Sequence, residues 1–177
     1  MSEFKVVSKE ELKKMLEGFT FKQLHIHHTW KPDHSNFDGN NHLTLQNNMR
    51  NYHVNTRGWS AIGQHVTLMP DGQYVTGRPF GKTPASIKGW NTGAFAIEML
   101  GNFDTGNDPF DKAQKESILY IANYFGEKIG YDNVKFHREG PGVSKSCPGT
   151  AIDKAEFIKE ATDLNKKAPR RVKELEL

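Results

Sequence analysis

Three short segments of this chain carry side chains whose types and spacing could support chemistry. The first is His25-Ile26-His27-His28, within a stretch that reads as a strand. Period-two alternation puts His25 and His27 on one face and His28 with Leu24 on the other. A neutral imidazole on a rigid strand is a well-held zinc ligand. The pattern alone does not separate His25 from His27, and it equally suits a half-exposed strand bearing polar histidines. The second segment is the polar, Gly/Pro-rich loop from His137 to Gly149, which opens on His137-Arg138 and closes on Cys147-Pro148-Gly149. A lone cysteine is commonly a small buried hydrophobe. Here a helix expected just after it, and Lys145 two residues before it, should favour the thiolate. A thiolate with two imidazoles makes a tight site for Zn²⁺ and leaves one coordination position open. The third feature is Glu98, inside the apolar run Ala94 to Leu100. At a strand edge it would face solvent. In a central strand a carboxylate among apolar residues is costly unless paired or functional, and desolvation raises its pKa towards that of a useful base near neutrality.

The elements that must position these groups alternate in type. Ser8 and Glu11 form an S-x-x-E capping box that opens a short helix to about Leu16, stopped by Gly18. Phe21 to Thr29 reads as a strand, Lys31 to His42 as a loop, and Leu43 to Val54 as a helix with Leu45, Met49 and Tyr52 on one side. Ile62 to Met69 and Gln73 to Arg78 read as strands joined by the turn Pro70-Asp71-Gly72. Ala94 to Leu100 is a further strand, Asp111 to Ile129 the longest helix, and Val134 to Phe136 a short strand. A last helix is expected from about Thr150 to Leu164. This order predicts an α/β fold, a single domain with a central mixed β-sheet flanked by helices. Residues 1–164 form the expected catalytic domain, and 165–177, with Pro169, a charged tail or linker stub.

Length and composition agree with one globular domain: 177 residues, 36% hydrophobic and 11% aromatic. A single cysteine excludes an internal disulfide. The N-terminus shows no apolar h-region or cleavage site, so no signal peptide is expected. No apolar run reaches the ~18 residues that a membrane span needs, so no membrane insertion is expected. The net charge of +3 and pI near 8.9 suit ordinary solvated lysines, or attraction to a polyanion. Apart from Lys166-Lys167 and Arg170-Arg171, the basic residues form no stripe and no aromatic interleaving, which argues against nucleic acid.

Read together, these segments resemble the zinc amidase and peptidoglycan recognition protein superfamily, which includes amidase-type phage lysozymes and bacterial N-acetylmuramoyl-L-alanine amidases. The matching stretches are Leu24-His25-Ile26-His27-His28-Thr29, Gly58-Trp59-Ser60-Ala61-Ile62-Gly63-Gln64-His65-Val66, Pro70-Asp71-Gly72 and Gly77-Arg78-Pro79. Gly89-Trp90-Asn91, Ala96-Ile97-Glu98, Gly101-Asn102-Phe103, His137-Arg138 and Cys147-Pro148-Gly149 follow in the same order. The resemblance spans about Phe21 to Leu164. It implies a peptidoglycan recognition protein-like fold, Zn²⁺ as cofactor, and His27, His137 and Cys147 as metal ligands. It also implies Lys145 as the lysine that stabilises the transition state and Glu98 as the catalytic glutamate. Trp90, Asn91, Arg78 and the Lys31–His42 loop are the expected substrate-groove residues.

Three departures accompany it. Gln64 stands where many members carry a tyrosine, which shifts proton transfer onto Glu98. The segment around Ser86 lacks a histidine common in the superfamily. The spacing from His137 to Cys147 is two residues longer than usual, with Gly140-Pro141-Gly142 as the expected insertion. The implied function is hydrolysis of the amide between N-acetylmuramic acid and L-alanine in bacterial peptidoglycan, by a monomer of phage or prophage endolysin type. Such a protein is made in the cytoplasm and reaches the wall after release. A non-catalytic peptidoglycan-binding module of the same fold is the alternative, and the presence of Cys147, Glu98 and Lys145 favours the enzyme.

Overall fold

The computed structural model describes residues 3–175, and side chains as far as Lys166. The elements run β1 (Val6–Val7), α1 (Lys9–Leu16), β2 (Gln23–His28), α2 (His42–Asn51), β3 (Val66–Leu68), β4 (Tyr74–Thr76), β5 (Ala94–Met99), α3 (Lys112–Ile129), β6 (Val134–Phe136) and α4 (Lys154–Leu175). The strands form one mixed sheet in the order β1-β4-β3-β5-β2-β6. β2 is parallel to both neighbours, and β5 is parallel to β3, while β4 pairs antiparallel on both sides.

Local sequence explains most boundaries. The Ser8 side chain accepts from the Glu11 backbone N–H while Glu11 reaches back to Ser8, so α1 begins with a complete capping box. Gly130, at φ 89°, ends α3 in a conformation that costs other residues. Gly72, at φ 87°, closes the turn between β3 and β4. Both of these strands are shorter than the apolar pattern predicts. The remaining pairing is irregular, carried by Gly77 N–H to His65 O and Arg78 N–H to Gln64 O.

One face of the sheet packs Leu24, Ile26, Phe95, Ile97, Leu68, Tyr74 and Phe136 against α1, α3 and α4. α3 contributes Ile118, Ile121, Ala122 and Phe125, the stripe that its helical spacing predicts. The other face is only partly covered. There α2 sets Leu45 and Met49 against Val75 and Ile62. Because β2 lies inside the sheet, all three of its histidines are buried rather than half-exposed.

The C-terminal helix differs from expectation. α4 continues past Pro169 to Leu175, beyond the helix end expected near Leu164. The Lys, Arg, Glu and Leu around Pro169 are strong helix formers, which favours continuation over a break. Positions 176–177 of the expected tail lie outside the described residues. Among the described residues no helix is long and apolar enough to cross a membrane.

Candidate metal centre

The site is built from the ends of three parallel strands. In register, His27 of β2 lies beside Glu98 of β5, and Glu98 lies beside Thr67 of β3. Register partners point to the same side of a sheet, so these residues form a row on the sparsely covered face. β6 is aligned with Ile26 opposite Phe136, which brings the next residues, His27 and His137, together. Their ring centroids are 4.6 Å apart. Cys147 arrives from the following loop, and its Sγ accepts the His28 backbone N–H at 3.3 Å.

One donor atom each from His27, His137 and Cys147 lies within 4.8 Å of the other two. This is the set that strand alternation alone left ambiguous. His25, on the same face one pleat earlier, is fully buried and bonds to Gln23 and Ser86 instead. The longer loop between His137 and Cys147 does not separate them, because Arg138 closes it. The Arg138 backbone N–H donates to Cys147 O at 2.9 Å. Its guanidinium donates to Ser146 O, Gly149 O and Ile152 O at 3.3, 2.8 and 2.5 Å. Asp104 adds a second clasp, accepting from Ser146 Oγ at 2.7 Å and Thr150 N–H at 3.0 Å. Replacing Arg138 with methionine leaves three carbonyls without this donor. We expect a loss of about 1–3 kcal/mol, read as a lower urea midpoint with an unchanged slope.

Burial dominates the electrostatics. Both His27 and His137 are held below the ordinary histidine range, chiefly by desolvation, then for His27 by the neighbouring His137 and for His137 by Lys145. Each is therefore a neutral donor at neutral pH. Cys147 corrects the sequence expectation of a favoured thiolate. Burial pushes its thiol up to about 12, outweighing the lowering by the His28 N–H, Lys145 and Arg138, while Glu98 raises it further. The helix expected from about Thr150 begins only at Lys154, seven residues after the cysteine. Such a thiol is a poor free nucleophile but suits a metal cation, which can replace its proton. Glu98 is pushed up to about 7 by desolvation. Its carboxylate has no hydrogen-bond or ion-pair partner among the described residues.

Two depressions meet at this carboxylate. One, of about 610 Å³, contains the three donors together with Arg57, Trp59, Ser86, Asp104 and Lys145. The other, of about 720 Å³, runs between Lys31, Pro32 and Asn36 and the α2 residues Leu45, Asn48 and Met49. Thr29, Trp30, His53 and Glu98 line both. Lys145 is exposed at the rim beside His137 and Cys147. Of the Lys31–His42 loop, Lys31, Pro32 and Asn36 line the second depression, whereas Arg78, Trp90 and Asn91 line neither. Arg78 is spent on the carbonyls of Ile62, Thr83 and Ala61 and borders a separate hollow. Trp90 is half-buried under the Lys135 ammonium, 5.3 Å from the ring centre. Asn91 lies behind the site, its Oδ1 accepting the Ser86 and Ile87 backbone N–H groups. Gln64 is buried, and its amide donates to Thr67 Oγ1 at 2.9 Å.

Trp30, Arg57 and Trp59 were not legible as site residues. Trp30 is 55% exposed and adopts φ 62°, a left-handed conformation rare for a bulky residue and often held at functional sites. Arg57 stacks 4.8 Å from the Trp59 ring centre. The only signal in the sequence is an aromatic directly after His-His-Thr, and an Arg-Gly-Trp following a helix.

Comparison with known proteins agrees with this architecture. Over 113 residues the chain is 29% identical to peptidoglycan-recognition protein SC2 of Drosophila melanogaster, which covers 62% of this chain and 59% of that protein. It is also 29% identical over 132 residues to an N-acetylmuramoyl-L-alanine amidase of Sus scrofa, covering 73% of this chain but 22% of the relative. The match to these relatives therefore spans less than two thirds of their length. Among solved structures, the N-acetylmuramoyl-L-alanine amidase LysC from Clostridium intestinale superposes with a TM-score of 0.65 at 26% identity, covering 81% of this chain and 87% of that one. Drosophila PGRP-LB shares the fold at a TM-score of 0.64 and 23% identity, over 78% of this chain and 79% of that one. The family model described as N-acetylmuramoyl-L-alanine amidase, Amidase_2, matches residues 18–150. That span holds every strand from β2 to β6 and all three donors, and by it the chain belongs to the Amidase_2 family.

Proposed function

We propose that this protein is a zinc-dependent amidase that hydrolyses the bond between N-acetylmuramic acid and L-alanine in bacterial peptidoglycan. The observation that carries the reading is Glu98: an unpartnered, desolvated carboxylate set in register beside His27 and within the groove that holds the three donors. A base poised near neutrality beside a metal site is the arrangement that water-mediated amide cleavage requires. Two neutral imidazoles and one thiol, with groove space beside them, fit zinc with an open position. Zinc bound there supplies Lewis acidity and a more acidic water.

The residues of the chain do the rest. Glu98 accepts the proton of the attacking water and returns it to the leaving amine. The Lys145 ammonium, at the rim, provides positive potential for the carbonyl oxygen as it gains charge. The groove runs to either side of Glu98, so a substrate occupying both arms presents its central bond to the carboxylate. Likeness to clostridial amidases, one of them described as an endolysine, supports an endolysin acting on the wall after release.

The test is mass spectrometry of purified peptidoglycan after digestion, with and without complete metal removal. We expect new L-alanine amino termini, lost with the metal and restored by zinc. Cleavage that survives metal removal, or cleavage at another bond, would overturn the proposal. Wall binding without any cleavage would instead favour a recognition module, the role that the names of several relatives describe.

A further inference from the structure

We infer that Gln23, His25 and Ser86 form a hydrogen-bonded relay that sets the tautomer of His27 and leaves its Nδ1 lone pair for the metal. This rests on the reading of His27 as a ligand, and it assigns roles to three residues outside the donor set.

The relay is continuous. His25 Nε2 lies 2.8 Å from Gln23 Oε1, His25 Nδ1 lies 2.8 Å from Ser86 Oγ, and the same Oγ lies 2.7 Å from His27 Nε2. Its direction follows from counting donors. An amide oxygen only accepts, so His25 Nε2 must carry hydrogen. His25 is fully buried, and its two ring nitrogens meet only an amide oxygen and a hydroxyl, with no carboxylate to balance a charge, so its ring is neutral and has one hydrogen to give. Its Nδ1 is then an acceptor, and the Ser86 hydroxyl must donate to it. A hydroxyl has a single hydrogen. Once that is given to His25, Ser86 Oγ can only accept from His27, whose Nε2 therefore carries hydrogen. A neutral ring protonated at Nε2 has its lone pair on Nδ1. That atom is free of the relay.

The backbone holds the hinge of the relay in place. Asn91 Oδ1 accepts both the Ser86 and Ile87 N–H groups, at 2.9 and 2.8 Å. Ser86 therefore sits on a fixed segment rather than a free loop, and its hydroxyl can bridge two rings on the neighbouring strand. A partner that fixes the second nitrogen of a metal-binding histidine orients the ring and raises its affinity, commonly by about 10–100-fold. Ser86 and His25 are in this sense positioning residues.

Two measurements test the relay without reference to turnover. In the metal-free wild-type protein, long-range ¹H–¹⁵N NMR should show both His25 and His27 protonated at Nε2. A His27 ring protonated at Nδ1 overturns the assignment. Zinc affinity, from competition with a chromophoric chelator, is then compared among wild type, Ser86→Ala, Ser86→Thr and the double variant His25→Phe/Ser86→Ala. We expect Ser86→Ala to bind zinc about 10–100-fold more weakly. Threonine keeps the hydroxyl and should restore most of that affinity, while the double variant should be no weaker than Ser86→Ala. Wild-type affinity in Ser86→Ala, or failure of threonine to rescue, refutes the relay while the metal site stands. If the wild type takes up no zinc, the metal reading itself fails, and the relay fails with it.

Discussion

Replacement of Cys147 with alanine is expected to abolish stoichiometric zinc uptake and, with it, amide hydrolysis. The reason lies in the protonation state of the site. With both imidazoles held neutral and the thiol held up to about 12, the metal-free centre carries no negative charge at pH 7 except through Glu98. Zinc binding must therefore displace one proton, from Cys147. Two consequences follow for the wild type: about one proton is released per zinc at neutral pH, and affinity rises about tenfold per pH unit as long as the thiol is the group that titrates. A weakly buffered indicator assay measures the first, and chelator competition between pH 6 and 8 measures the second. In the alanine variant neither should appear. Its fold should survive, since the sulfur makes only two weak backbone hydrogen bonds, accepting from His28 N–H at 3.3 Å and donating to His28 O at 3.8 Å, worth about 1 kcal/mol each or less. Zinc should raise the melting temperature of the wild type and leave that of the variant unchanged. A Cys147→Ala protein that still binds one zinc tightly and cleaves the wall would remove Cys147 from the donor set.

Glu98→Gln should separate activity from stability. Glutamine keeps the shape and loses the basicity, so hydrolysis is expected to fall about 10²–10⁴-fold while zinc uptake and wall binding persist. Stability of the metal-free protein should move the other way. The Glu98 carboxyl is raised from 4.5 to about 7 on folding, so the folded state holds the proton more tightly. Its stabilising contribution is complete below about pH 4.5 and is lost as pH rises through 7. Above pH 7 the wild type must keep a desolvated carboxylate, and glutamine need not. We expect the variant to gain about 1–3 kcal/mol over the wild type between pH 5 and pH 8, after discounting for partial exposure. Urea unfolding at the two pH values reads this directly. A stability difference that does not change with pH would show that Glu98 is not desolvated; a variant that retains full activity would move the base elsewhere.

Much of the scaffold was legible because its signals are local. The capping box at Ser8, the helical stripe from Ile118 to Phe125 and the glycine stop at Gly130 each depend on residues within a few positions of one another. Glu98 was legible for a similar reason, as a charge inside an unbroken apolar run. The helix end near Leu164 is not a local stop in the structure, because the helix formers around Pro169 carry the helix on to Leu175.

The groove was poorly legible, and the reason is distance along the chain. Arg78 looks available in the sequence, yet its guanidinium is consumed by carbonyls up to 17 residues away. Cys147 looks like an activated thiolate from its neighbours, yet burial beneath β2 decides its proton affinity. Pocket walls come from segments as separated as Trp30, Arg57 and Asp104, and no local pattern ties them together.

The sequence by itself determined the class of fold, the strand that carries the histidines and the chemical types of the donors, because periodicity and residue chemistry are properties of short stretches. Periodicity did not choose between His25 and His27, since a period of two places both on one face; within the sequence only the family resemblance pointed to His27. The packed sheet brings His27, and not His25, within reach of His137 and Cys147. Parallel pairing of β2 with β6 puts His137 beside His27, and the Arg138 clasp returns Cys147 to the same point. His25, one pleat back, is left to the Ser86 hydrogen bond. Register between strands more than a hundred residues apart is a property of the packed sheet, and it is register that separates a donor from its neighbour.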